Sequence, residues 1–173
     1  MSKHAGLFGG LSLSVAVLLA AQEDFRREIQ AVYDRASHAA VSARTREDID
    51  SIHGWLDTAD CVYTDAGQPT RSWAEQRVYA AADLRTPLES LSIQIQEVEV
   101  RGSSAIVTTL VKGVARLTDN GGRFGAKGAA HDVETTATVR DVWVKAPDGW
   151  RRKSHTKIVA NKITAVDGKS IPP

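Results

Sequence analysis

Two residues near the end of the chain, Asp141 and His155, have the types and the spacing for proton transfer. Between them lies Ala146-Pro147-Asp148-Gly149-Trp150, a tight-turn signature. Proline suits the first corner of a type I turn, and glycine suits the left-handed residue that follows. With Pro147, Asp148 and Gly149 as a three-residue loop, Ala146 faces Trp150, Val144 faces Arg152, Trp143 faces Lys153 and Asp141 faces His155. Residues opposed across a hairpin share a face of the sheet, with Cβ atoms about 5 Å apart. A carboxylate that close to an imidazole selects its tautomer. In a dry recess the pair can serve as general base or acid. Two alternatives stay open: a structural or solvent-facing pair, and a two-residue loop, which shifts the pairing.

A ring of aromatic residues supplies candidate walls for a small-molecule site: Tyr33, Trp55, Tyr63, Trp73, Tyr79 and Trp143, with Asp65 beside Tyr63 as a polar contact. Apolar and aromatic walls with a few polar groups are the usual composition of such sites, although plain core packing is the first reading of each ring. No metal is expected. His131-Asp132-x-Glu134 puts Asp132 and Glu134 on one face of a strand and His131 on the other, and His38 and His53 sit on separate helices without the spacing of zinc ligands. No cofactor is expected either. The glycines from Gly121 to Gly128 lack the Lys-Ser/Thr ending of a phosphate loop, and no Gly-x-Ser-x-Gly occurs. The single cysteine, Cys61, cannot form an internal disulfide and reads as a small buried hydrophobe in a strand.

Residues 1–21 stand apart. Lys3 is followed by an uncharged run from Ala5 to Ala21, rich in Leu, Val, Ala and Gly, and Gln22-Glu23-Asp24 then turns polar. That is the order of a secretory signal peptide. As a retained anchor the run would be short, since a bilayer needs about 20 residues. A periplasmic or secreted protein without stable membrane insertion after cleavage is the expectation. Of 22 basic residues only Lys3 lies in the leader, so the remainder balances the 21 acidic residues. A neutral chain gives nucleic acid no overall attraction. Arg151-Arg152-Lys153 is the one basic run, and a solvated strand face accounts for it.

The elements that must position these residues follow from hydrophobic period. Residues 24–43 read as an amphipathic helix with Phe25, Ile29, Val32, Tyr33, Ala36 and Ala40 on one side. Thr45-Arg46-Glu47-Asp48 opens a second helix with a capping box, its stripe formed by Ile49, Ile52, Trp55 and Leu56 and its end by Asp57-Thr58-Ala59-Asp60. A short strand covers 61–64. Ser72-Trp73-Ala74-Glu75 opens a third helix to about Leu84, and Pro87 prevents its continuation. The period then becomes two. Leu91, Ile93 and Ile95 share one parity, whereas Val98 and Val100 take the other, which predicts a β-bulge and a bent sheet. Strands follow at 105–117, 133–145 and 150–163, with Gly113 as a second bend, a mobile glycine-rich hairpin loop over 119–130 and a tail over 166–173. Helices first and strands after them indicate an α+β domain over 22–165, with helices packed on a curved antiparallel sheet. Such a sheet, curled around helices, leaves an interior pocket.

Two passages carry a family resemblance: residues 55–65, where a helix ends in Trp55-Leu56-Asp57 and a strand carries Cys61-Val62-Tyr63, and residues 141–151 with Ser154-His155 beyond them. Together with the element order over 24–163, they resemble the SnoaL-like branch of the nuclear transport factor 2-like superfamily. The resemblance implies a cystatin-like cone with a cavity between sheet and helices. Similar proteins include isomerases, dehydratases, cyclases and epoxide hydrolases, as well as ligand binders and homodimeric interaction modules that associate through the outer sheet face. No complete catalytic motif of that group is present. The sequence thus supports an exported small-molecule-binding domain with cofactor-free proton-transfer chemistry, or alternatively a non-catalytic dimeric module of the same fold.

Overall fold

The computed structural model describes residues 9–171, with side chains from Gln22 onward. The first eight residues of the expected signal peptide lie outside that range. Among the described residues, no helix is long and apolar enough to cross a membrane. Helix α1 runs Gly9–Ser42, so helical backbone begins well before Asp24. Helix α2 (Arg46–Leu56) and helix α3 (Trp73–Asp83) flank strand β1 (Asp57–Thr64). Strands β2 (Leu88–Arg101), β3 (Ser104–Thr118), β4 (Ala130–Ala146) and β5 (Gly149–Val166) follow, with a short β6 (Lys169–Ser170) folded back on β5. The segment read as a tail therefore pairs with the sheet, after a turn in which Asp167 and Gly168 both take positive φ.

The sheet order is β1-β5-β4-β3-β2. The four long strands form an antiparallel meander, but β1 lies parallel to β5, so the sheet is mixed rather than purely antiparallel. Hairpin turns fix the direction of β2 to β5, whereas β1 is joined to helices at both ends and is free to run either way. Asp57 closes α2 as its C-cap, its N–H donating to the His53 carbonyl, and also begins this strand. The bulge expected near Gln96 is present: Ile95 pairs with Thr109 and Glu97 with Thr108, leaving Gln96 unpaired. Strand β3 passes through Gly113 with regular pairing to β4.

Helix α1 covers the concave face. Phe25, Ile29, Tyr33 and Ala36 form its buried stripe and pack with Leu56, Ile95, Ala105, Val107 and Trp143. Burying a side chain such as Ile29 contributes about 1.5–3 kcal/mol. The same helix closes the β2 edge. Gln22 donates to the Val98 carbonyl, Arg26 to Ile95, and Gln30 to Ile93, while Gln30 also accepts from the Ile95 N–H. An edge strand otherwise presents open hydrogen-bonding groups to other chains. The glycine-rich loop between β3 and β4 holds defined contacts rather than hanging free: the Asp119 carboxylate accepts from the N–H groups of Gly121 and Phe124. Phe124 meets His131 edge-on, and His131 Nδ1 lies 2.7 Å from Asp167.

Candidate active site

The site is built on β4, β5 and β1, with α1 and α2 above them. On β4, Asp141 and Trp143 point to the concave face and Val142 and Val144 to the convex one, by strand alternation. Asp141 is 1% exposed. Tyr33 of α1 donates to its Oδ2 at 2.6 Å, and Trp143 Nε1 donates to the Tyr33 oxygen at 3.1 Å. His155 Nδ1 lies 2.8 Å from Asp141 Oδ1. An ionised carboxylate only accepts, so Nδ1 carries the hydrogen and Nε2 is the free lone pair. Arg152 Nη1 stands 3.0 Å from the same nitrogen, but the shorter contact to a full negative charge decides the tautomer. Burial alone would raise the Asp141 pKa, yet the His155 imidazole, the Arg152 guanidinium and the hydrogen bonds hold it below the usual carboxylate value.

The Asp141–His155 pairing expected from the turn is therefore present, but not by the expected route. The loop has two residues, Pro147 and Asp148, and Ala146 pairs with Gly149. Val144 consequently faces Arg151, and Trp143 faces Arg152. The register then shifts, for Val142 pairs with Ser154, leaving Lys153 unpaired in a bulge. That one-residue bulge cancels the one-residue difference in the loop and restores Asp141 opposite His155. It also puts Arg152 and His155, three apart in sequence, on the same face. Arg152, expected on a solvated face, is instead turned into the site.

Arg152 bridges two buried carboxylates. Its Nε and Nη2 donate to the two oxygens of Asp57 at 2.6 and 3.2 Å, and its Nη1 stands 3.9 Å from Asp141 Oδ2. Asp57 repeats the surroundings of Asp141. Tyr63 donates to it at 2.7 Å, and His53 Nδ1 lies 3.0 Å away. Burial again opposes the Asp57 charge, and Arg152, His53 and Tyr63 overcome it, so its pKa falls well below the ordinary range. Both phenols are pushed upward, first by burial and then by the adjoining carboxylate, and stay protonated. His53 stacks on Trp73 with ring centroids 4.0 Å apart and planes 6° apart.

The predicted residues thus divide. Tyr33, Tyr63, Trp73, Trp143, Asp141 and His155 converge on the concave face. Asp65 sits beside them, bonded to Arg71 and Lys157. Trp55 packs against the core with Arg35 over its ring and makes no polar contact to the cluster. Tyr79 is 56% exposed, stacked under Arg71, and forms no pocket wall: α3 buries none of its residues. Three members were missed, namely His53, Asp57 and Arg152. The spacing of His53 and Asp57, one helical turn apart, was their only sequence signal. An open groove of about 610 Å³ runs along α1, lined by Glu23, Arg26, Arg27, Gln30, Ala31 and Asp34. It contains none of the clustered residues.

No family model matches the chain, and no curated protein matches it. Solved structures do. A conserved protein from Planctomyces limnophilus aligns with a TM-score of 0.61 at 17% identity, covering 81% of this chain and 99% of that one. A nuclear transport factor 2-like superfamily protein from Salmonella enterica aligns at 0.56 with 16% identity, covering 83% and 93%. A candidate scytalone dehydratase from Novosphingobium aromaticivorans aligns at 0.54 with 14% identity, covering 84% and 88%. These likenesses show the fold alone: helices packed on a curved, unclosed mixed sheet, as in nuclear transport factor 2-like proteins.

Proposed function

We propose that this nuclear transport factor 2-like domain is an exported small-molecule-binding protein of the SnoaL-like kind, and that Asp141 and His155 carry out cofactor-free proton transfer of the isomerase or dehydratase class. One observation carries the reading. A fully buried, ionised carboxylate orients an imidazole whose side chain is 27% exposed, and no described residue bonds its Nε2. In this arrangement Asp141 fixes tautomer and direction while His155 exchanges the proton. The same fold in a candidate scytalone dehydratase is consistent with water elimination. Tyr63 and Trp73 supply apolar wall beside the imidazole.

Simple carbonyl compounds can test this chemistry before any natural substrate is identified. The purified chain is incubated in deuterium oxide with a panel of β-hydroxy ketones and β,γ-unsaturated ketones, and mass spectrometry reads carbon-bound deuterium and loss of water. Asp141→Asn and His155→Gln should each slow the exchange by about 10²-fold or more, with unchanged circular dichroism. Absence of exchange across the panel, or exchange that ignores both substitutions, removes the catalytic assignment.

Export is proposed on the Lys3 and Ala5–Ala21 pattern. Expression with the leader should yield a periplasmic or secreted product whose amino terminus begins near Gln22. An intact terminus in the membrane fraction supports an anchor instead. A second reading, a homodimeric interaction module, is favoured by exposed Val62, Leu110 and Val159 on the convex face.

A further inference from the structure

We propose that the open edge of β5 over residues 157–163 is a docking slot for a short, extended, acidic segment of another protein, which joins the sheet as a strand between β1 and β6. The slot does not depend on the proton-transfer reading of the concave face.

Strand β5 is 18 residues long and pairs with β4 from Gly149 to Val166. On its other side β1 runs parallel to it from Arg152 to Thr156 and stops there. Strand β6 pairs antiparallel with Ala165 and Val166, and the Ile171 N–H donates to the Thr164 carbonyl. Between these limits, no described residue bonds the outward backbone groups of 157–163. Residues 158–162 are exposed without interruption, Ile158 at 39% and Val159 at 54%. The other edges are treated differently. Side chains of α1 bond the carbonyls of β2, and Tyr63 of β1 exchanges two backbone hydrogen bonds with Arg71. Open ladder groups are the template that an added strand uses. Pro172 and Pro173, next after Ile171, have no N–H, so they cannot supply the missing donors.

Length and charge decide what fits. At about 3.3 Å per residue the slot is about 23 Å long, and register shifts on both sides of Thr138 and between Glu134 and Thr135 shorten and twist it. A second copy cannot enter through its own β5. That strand runs on past the slot at both ends, and it carries its own β1 and β6 on the side that must face the slot. A separate segment of about five to seven residues meets neither obstacle. The bulges and lysines also disfavour long, flat, uncharged strands. Lys157 is bonded to Asp65, and Glu134 is held by Lys112. Lys162 forms no ion pair among the described residues, and a carboxylate on the incoming strand meets it. Apolar side chains of that strand then rest on Ile158 and Val159.

The ¹⁵N-labelled whole chain is titrated by NMR with an acetylated, amidated seven-residue peptide of alternating valine and glutamate. A matching peptide with lysine for glutamate is the control. Amide resonances of 158–163 should move with the first peptide, and their hydrogen exchange should slow about tenfold at saturation. The lysine peptide should bind about tenfold more weakly, and Lys162→Glu should narrow or reverse that preference with unchanged circular dichroism. Ala160→Pro and Asn161→Pro form separate arms. Neighbouring residues of a strand aim their N–H groups to opposite sides. The proline variant that keeps the parent's thermal midpoint has therefore lost an outward N–H, and it should bind about tenfold more weakly. Should both lower the midpoint, Lys162→Glu decides alone. No movement at 158–163 with about 1 mM peptide, or equal binding of the two peptides, overturns the proposal. Movement at 158–163 that grows with chain concentration in the absence of peptide assigns the edge to a second copy and overturns it as well.

Discussion

Arg152 is the residue on which the candidate site depends most. Among the arginines and lysines of the described residues it alone bonds Asp57 and it stands nearest to Asp141, and both carboxylates are shielded from water. Removing one partner of a buried ionic group costs about 3–5 kcal/mol, because the remaining charge is left uncompensated. Arg152→Ala should therefore lower the urea midpoint by that equivalent. Arg152→Lys should recover little, since a single ammonium cannot reproduce the two-pronged contact with Asp57. The sign of the pH dependence follows from the same contacts. Asp57 and Asp141 have folded pKa values below their unfolded ones. Their stabilisation is complete above the ordinary carboxylate range and is lost as pH falls through the depressed values. Thermal midpoints should drop steadily below about pH 4, and Asp57→Asn should flatten that drop. At Cys61, burial and then the charge of Asp57 push the thiol up to about 12. Iodoacetamide at neutral pH should leave it unmodified in the folded chain and alkylate it in urea. The sequence made Asp141 and His155 legible because a turn signature lay between them. Arg152 was hidden, since parity alone puts residues 152 and 155 on opposite faces.

At the scale of elements, the bulges at Gln96 and Lys153 set where the neighbouring side chains point, and only the first could be read in advance. Around Gln96, long apolar alternation lies on both sides, so the change of parity is visible in sequence. Around Lys153 the neighbours are Arg151 and Arg152, and a run of like residues carries no parity to break. Asp57 illustrates a related limit. Acidic and small residues at 57–60 signal the end of a helix, and only pairing with β5 shows that a strand begins there. Helix α2 was legible because its start is encoded locally. Thr45 accepts from the Asp48 N–H at 3.1 Å, and Asp48 accepts from the Thr45 N–H at 2.9 Å. This helix carries His53 over Asp57. Thr45→Ala should cost about 1 kcal/mol, or about 2–4 °C of thermal midpoint in a domain of this size. It should leave the Asp141–His155 half of the site intact, because that half hangs on the sheet. A differential scanning calorimetry trace alongside the deuterium exchange rate checks both statements.

For the whole molecule, the mixed sheet has two unlike faces. The concave face is covered by α1 and α2 and holds the charged cluster. On the convex face the register sets Val62, Ser154, Val142, Ile106 and Glu99 in one row, and Val159, Thr138, Leu110 and Gln94 in another. Between them runs a polar row of Thr64, Thr156, Arg140, Thr108 and Glu97. Val159 is 54% exposed and Leu110 37%. Two rows with apolar members, Val62, Val142 and Ile106 in one and Val159 and Leu110 in the other, flank a polar one and can match their own copy under a two-fold axis, which requires a self-complementary patch. Arg140 and Glu97 provide opposite charges for the middle row. Sedimentation velocity on the mature chain should accordingly show a dimer. Leu110→Arg, placed on the interior strand β3, should shift it to a monomer with unchanged circular dichroism and an unchanged rate of deuterium exchange, because Asp141 and His155 lie on the other face. A parent chain that sediments as a monomer at all concentrations leaves the convex face without a partner of its own kind.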